Sequence, residues 1–233
     1  MEPAQTQARG CQGQVIIALV HASARPEKWK AARDRYLNKA ANPHRVRHWL
    51  CFDLRQQRAF AESCVDAPTL WIINDDRPDA TTATNVCARA ALASNSDLLV
   101  LVCDDMDAPL NWDDELVQRV PDFSKPCVLH VSTGLKNNDD DGLISHPICT
   151  AAYARLDAYF FYPEYPSVWA DADWSAVANS RRCVIRCPDL MFRHLHHSVG
   201  LNQMDDVYRA HDNNDRYLRG KAIFEKRRAA GFK

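Results

Sequence analysis

The chain is short of glycine, of long apolar runs and of net charge. Seven glycines among 233 residues exclude a fibrous or linker-rich protein. The loop HASARP, residues 21–26, contains none. That counts against a dinucleotide-binding fold and against a P-loop, because both need glycine where backbone meets phosphate. No apolar run approaches the ~18–20 residues that span a bilayer. The opening MEPAQTQARGCQGQ lacks the apolar centre of a signal peptide, so residues 1–13 read as a flexible tail. A cytoplasmic protein with no membrane partner is expected. The cysteines number nine, an odd count scattered without a tight framework, as expected of reduced thiols buried as small hydrophobes.

The net charge of −1 hides an uneven distribution. Residues 25–48 carry eight Lys and Arg against two acids, and residues 104–141 carry ten acids against three bases. The last eighteen residues carry seven bases against one acid. The ends suit a polyanion and the middle suits a cation.

What is present is a strand–helix alternation. Apolar runs at 14–22, 46–53, 68–75 and 97–104 alternate with helical stretches at 24–41 and 80–94, and with a short helix or loop at 55–64. This pattern predicts a single α/β domain built on a mostly parallel, doubly wound sheet. Beyond it come a short helix at 112–120, a strand at 126–133, a polar loop at 134–146, a helix at 173–181 and a strand at 183–188. Residues 203–230 read as a charged, helical, mobile tail.

The stretch SDLLVLVCDDMDAPLNWDDEL, residues 96–116, poses a physical problem. Six apolar residues, Leu98 to Cys103, lead into Asp104, Asp105 and Asp107. Carboxylates this close repel unless they are paired or metal-bound. The tip is either a solvated turn that caps the helix near Trp112, or a site that holds something positive. In open parallel sheets ligands bind beyond the carboxyl ends of the strands. The other strand ends are polar too: His21 to Arg25, Asp53, and Asn74-Asp75-Asp76. A hard divalent cation such as Mg²⁺ or Mn²⁺, bridging to a diphosphate, would explain the tip.

At this point VHASARPEKW, WIINDD, TNVCARAALASNSDLLVLVCDDMDAP and NWDDEL resemble the nucleotide-binding half of a GT-A glycosyltransferase, close to the family 2 type. HPICTAAYARLDAYFFYPEYPSVWADADWSAVANSRRCVIRCPDLMFRHLHH is similar to the acceptor half. The resemblance covers about residues 14–200, divided into a nucleotide-sugar half at 14–110 and an acceptor half at 111–200. A basic helical extension at 201–233 follows. The chain has Ala24 where many relatives carry Asn, and Ala170-Asp171 where many carry Glu-Asp.

The resemblance implies a Rossmann-like GT-A sheet and a metal-dependent, inverting transfer from a nucleotide sugar, with a UDP-sugar as the favoured donor. It implies that Asp105, with Asp104 beside it, holds Mn²⁺ or Mg²⁺, and that Asp107 assists through water. His194 matches the later metal-binding histidine, with His196 as the fallback. It puts His21, Ala22, Arg25, Asp53, Asn74, Asp75, Asn85, Arg89 and Asp104 around the nucleotide sugar. Asp171 is the implied general base and Glu164 the alternative. The plain structural reading makes Asp173 an N-cap and Asp171 a partner of the helix dipole. Cys183, Cys187, His194, His196 and His197 match no common zinc signature.

The tail DRYLRGKAIFEKRRAAGFK is similar to small phage-type glycosyltransferases, some of which modify hydroxymethylated bases in DNA. The expected acceptor is therefore a hydroxymethylpyrimidine, on which Tyr162, Tyr165 and Trp169 would stack. A glycan or protein hydroxyl is the alternative acceptor. A non-catalytic nucleic-acid-binding module and a nucleotidyltransferase are the rival classes.

Overall fold

A computed structural model describes residues 14–64, 69–74, 77–135, 142–211 and 213–232. The N-terminal half runs β1 (Ile17–Ala22), α1 (Trp29–Lys39), β2 (Val46–Asp53), α2 (Gln57–Cys64), β3 (Leu70–Asn74), α3 (Ala80–Ala93) and β4 (Leu98–Val102). The second half adds β5 (Met106–Asp107), α4 (Trp112–Arg119), β6 (Val128–Ser132), β7 (Ile148–Thr150), α5 (Ala151–Ala154) and α6 (Ala170–Ser180). It closes with β8 (Val184–Met191), β9 (Arg193–His194), α7 (Asp206–His211) and α8 (Asn214–Ala229).

One seven-stranded sheet runs through both halves in the order β3-β2-β1-β4-β7-β6-β8. β3, β2, β1 and β4 are mutually parallel. β7 is antiparallel to β4 and to β6. Its three residues, Ile-Cys-Thr, are too few to show a period in the sequence.

β1 is continuously apolar because both its faces are covered. Ile17 and Leu19 pack on one side with Tyr36 of α1 and with Trp112 and Leu116 of α4. Ala18 and Val20 pack on the other with Ala83, Cys87 and Ala91 of α3 and Trp174 of α6. Full burial of each large side chain contributes about 1.5–3 kcal/mol. The eight described cysteines are free thiols. Burial pushes the Cys51 thiol up to about 12 and the Cys127 thiol up to about 11.

The C-terminal segment is no mobile tail. α8 lies against α6, and its Gly220 approaches so closely that a Cβ there would meet the Val168 carbonyl at 2.6 Å. Arg227 of α8 is buried and pairs with buried Asp173 of α6 at 2.6 Å. Its guanidinium also lies 3.7 Å over the Tyr162 ring. Asp173 is therefore not an N-cap: the helix begins at Ala170, and Trp169 occupies the cap position with φ of 75°.

Candidate active site

The parallel register of β1 with β4 sets His21 beside Val102, so the ends of both strands open onto the same edge. A cleft of about 510 Å³ lies there, bordered by Ala22, Ser23, Arg25, Asp53, Asp104, Asp105, His194 and His196, and by Tyr208 of α7.

Each of the three aspartates of the acidic turn has a separate partner set. The Asp104 carboxylate lies 3.0 Å from His21 Nε2, accepts from the Ser23 hydroxyl at 2.9 and 3.0 Å, and sits 3.4 Å from Arg25 Nη1. Asp105 faces His194 Nε2 at 3.1 Å and accepts from the Tyr208 hydroxyl at 2.6 Å. Asp107 pairs with Lys39 at 2.6 Å, outside the cleft. Arg35 of α1 closes the turn from below, donating to the carbonyls of Asp104 at 2.6 Å and Met106 at 2.9 Å. The acidic tip is thus tolerated through three protein cations, Arg25, Arg35 and Lys39, and two imidazoles, His21 and His194.

His194 reaches Asp105 through a two-stranded ribbon. β5 and β9 pair antiparallel, with Met106 opposite His194. The Leu195 amide donates to the Asp105 carbonyl at 2.7 Å, and the His194 amide donates to the Thr133 carbonyl at 3.0 Å. The His196 ring lies 5.0 Å from that of His194. One ligand atom each from Asp105, His194 and His196 falls within 4.8 Å of the others. Burial alone would raise the Asp105 carboxyl, but hydrogen bonding and charge from His194, with the Tyr208 hydroxyl, hold it at about 2. An ionised carboxylate beside two imidazoles is a donor set that fits a divalent cation.

The remaining expected residues divide. Asp53 lines the cleft and accepts from the Asn74 amide at 2.9 Å, which links the ends of β2 and β3. Asp75 lies outside the described residues. Asn85 and Arg89, expected at the nucleotide, do not line the cleft. Asn85 clamps the backbone of Phe160 and Phe161, accepting from their amides at 2.9 and 2.7 Å. Helical periodicity turns Asn85 and Arg89 toward residues 154–160, while Ala80 and Ala83 of the same helix face the cleft.

Asp171 sits half-buried in the first turn of α6, accepting from the Ala172 amide at 2.9 Å. Burial raises its pKa. It does not line the cleft itself, but its charge acts on Cys103, which does. Glu164 is exposed and accepts from the Tyr162 hydroxyl at 2.9 Å. The expected stacking platform is also corrected. Tyr162 lies under Arg227, Tyr165 is fully buried and donates to Asp173 at 3.0 Å, and Trp169 packs on Tyr217 and Phe224.

Sequence reading missed Ser23, Arg35, His48, Asp205 and Tyr208. His48 continues the buried chain from Asp104, with its Nε2 3.0 Å from His21 Nδ1 and its Nδ1 3.0 Å from the Thr69 hydroxyl. The alternation of β2 could have flagged it, since an inward-facing histidine stands there among apolar neighbours.

No protein-family model and no curated protein matches the chain by sequence. Solved structures do match. Residues 1–349 of TarS from S. aureus align with a TM-score of 0.58 at 11% identity, over 77% of this chain and 60% of that one. The chain thus spans less than two thirds of that TarS fragment. A glucosyl-3-phosphoglycerate synthase from Mycobacterium tuberculosis, in complex with Mn²⁺, UDP and phosphoglyceric acid, aligns at 0.55 and 9% identity, over 90% of this chain and 78% of that one. The mannosyltransferase PcManGT from Pyrobaculum calidifontis, in complex with GDP-Man and Mn²⁺, aligns at 0.55 and 11% identity, over 92% and 75%. The chain has the GT-A fold. In this GT-A sheet the cleft lies at the carboxyl ends of β1, β2 and β4, where ligands bind in open α/β sheets.

Proposed function

We propose that the protein is a divalent-metal-dependent glycosyltransferase that moves a sugar from a nucleotide-sugar donor to an acceptor hydroxyl, with inversion at the anomeric carbon. The observation that carries this reading is the meeting of Asp105, His194 and His196 at the carboxyl edge of a GT-A sheet. The glucosyl-3-phosphoglycerate synthase with Mn²⁺ and UDP, and the mannosyltransferase with GDP-Man and Mn²⁺, support it. Asp105, His194 and His196 would hold the metal. The mixed oxygen and imidazole set favours Mn²⁺ over Mg²⁺. The bound ion would neutralise charge that develops on the leaving diphosphate.

The chain's own residues supply the rest. Asp104, held by His21, Ser23 and Arg25, presents a fixed carboxylate toward the ribose. Asp53, steadied by Asn74, stands at the base end. Asp171 takes the acceptor proton: its burial raises its pKa and so strengthens it as a proton acceptor.

For the acceptor we propose a hydroxymethylpyrimidine in DNA. α8 supports this, since Arg219, Lys221, Lys226 and Arg228 are exposed along it and Arg216 lines the cleft. Exposed bases of this kind suit a phosphate backbone. The test is incubation with hydroxymethylcytosine DNA, Mn²⁺ and a mixture of UDP- and GDP-sugars, followed by digestion and mass analysis of the nucleosides. A hexose or pentose mass on the modified base is expected. An unmodified base together with salt-insensitive DNA binding would replace DNA with a glycan or protein hydroxyl.

A further inference from the structure

Arg25 and Lys28 converge on one carboxylate from a distant part of the chain. Arg25 donates to Asp205 twice, from Nε at 2.8 Å and from Nη2 at 3.0 Å. Lys28 donates to the same carboxylate at 2.7 Å. The two oxygens of Asp205 are thus met by a guanidinium fork and an ammonium, which is how a phosphate is recognised. The seat belongs to the cleft: Arg25 borders it and also touches Asp104 at 3.4 Å.

The segment that supplies Asp205 is held mainly by polar contacts at this edge. Tyr208, three residues on, donates its hydroxyl to Asp105 and packs 4.5 Å beneath the Arg25 guanidinium. The neighbouring large apolar side chains, Leu201 and Met204, are left about half exposed. α7 has six residues, too few to persist as a helix without support. Ion pairs and hydroxyl contacts can be exchanged for equivalent contacts with a ligand, whereas an apolar core contact cannot.

We propose that Arg25 and Lys28 form a diphosphate-binding seat, and that Asp205 occupies it as an internal anion until the donor's diphosphate displaces it. The ligand's identity rests on the nucleotide-sugar reading above. Residues 202–210 then move off the cleft when the donor binds, and Tyr208 releases Asp105 in the same step. The apparent affinity for diphosphate is reduced by the fraction of molecules in which Asp205 holds the seat.

The experiment is calorimetric titration of the full chain with inorganic pyrophosphate at low salt and in excess chelator, so that no metal contributes. Asp205→Asn keeps the shape but removes the competing charge. Losing one charge-assisted contact of this kind is expected to tighten pyrophosphate binding about tenfold. Lys28→Gln is expected to weaken it by a similar factor, and Lys28 is exposed enough that this variant folds. An Asp205→Asn protein with native circular dichroism but unchanged or weaker affinity overturns the proposal. If Asp205→Asn does not fold, unchanged affinity in Lys28→Gln overturns it instead. Because the readout is pyrophosphate binding without metal, a protein that binds in this manner yet transfers no sugar refutes the transferase reading alone. One that transfers sugar while Asp205→Asn leaves affinity unchanged refutes the seat alone.

Discussion

Asp105 and Asp107 stand two residues apart, yet only Asp105 faces the cleft. Asp105→Ala is expected to abolish sugar transfer and to lower Mn²⁺ affinity, with the far-UV circular dichroism unchanged. Asp107→Ala removes a partly exposed ion pair with Lys39, typically worth about 0–1 kcal/mol. It should therefore leave transfer near normal. Equal activity in both variants would show that the pairing geometry has been assigned the wrong role. Asp171→Asn keeps shape and hydrogen bonding but cannot accept a proton. It should lower kcat by about 10²–10⁴-fold with little change in the donor KM. Glu164→Gln, on an exposed loop, should do neither. If steady-state kinetics show the reverse, the roles exchange. At this scale the acidic turn was legible because strand ends and acidic pairs leave a local mark in the sequence, whereas His194 came only from the family resemblance of the FRHLHH stretch. Ser23, Arg35 and Tyr208 were not legible, because each acts on the turn across 69 or more residues.

The elements carry two further expectations. α8 is bound to α6 by a buried pair, Arg227 with Asp173, whose side chains are 5% and 4% exposed. Removing one partner leaves an uncompensated buried charge, so Arg227→Met should cost about 3–5 kcal/mol in denaturant unfolding. Arg227→Met with Asp173→Leu should recover much of that loss. A double variant no better than the single one would contradict the account. The sequence offered Arg227 only as one base in a basic run. Its partner lies 54 residues away, and nothing local separates a buried arginine from its solvated neighbours.

β7 leads from a buried histidine. His146 is buried beside Phe192 and Tyr36, and burial lowers its pKa from 6.5 to about 3. Burial lowers His48 as well. Between about pH 6.5 and 3 the unfolded chain takes up protons that the folded protein refuses, so stability falls as pH drops through that window. Thermal melts should show a lower Tm at pH 5.5 than at pH 7.5, and His146→Leu should flatten part of the decline. A Tm that holds or rises toward pH 5.5 would mean that these histidines are protonated in the fold.

For the whole molecule, the alternating strands and helices of residues 14–102 made the parallel half readable. Short β7, antiparallel between β4 and β6, was not readable, since three residues carry no period. The sheet brings its carboxyl edge, the β5–β9 ribbon and α7 around one cleft, and that assembly underlies the glycosyltransferase reading. The most direct measurement is release of nucleoside diphosphate from a panel of UDP- and GDP-sugars, with and without Mn²⁺, by wild type and Asp105→Ala. The account predicts slow release from at least one sugar nucleotide, dependent on added Mn²⁺ and absent in Asp105→Ala. No release and no binding of any sugar nucleotide by the wild type in Mn²⁺ would contradict it.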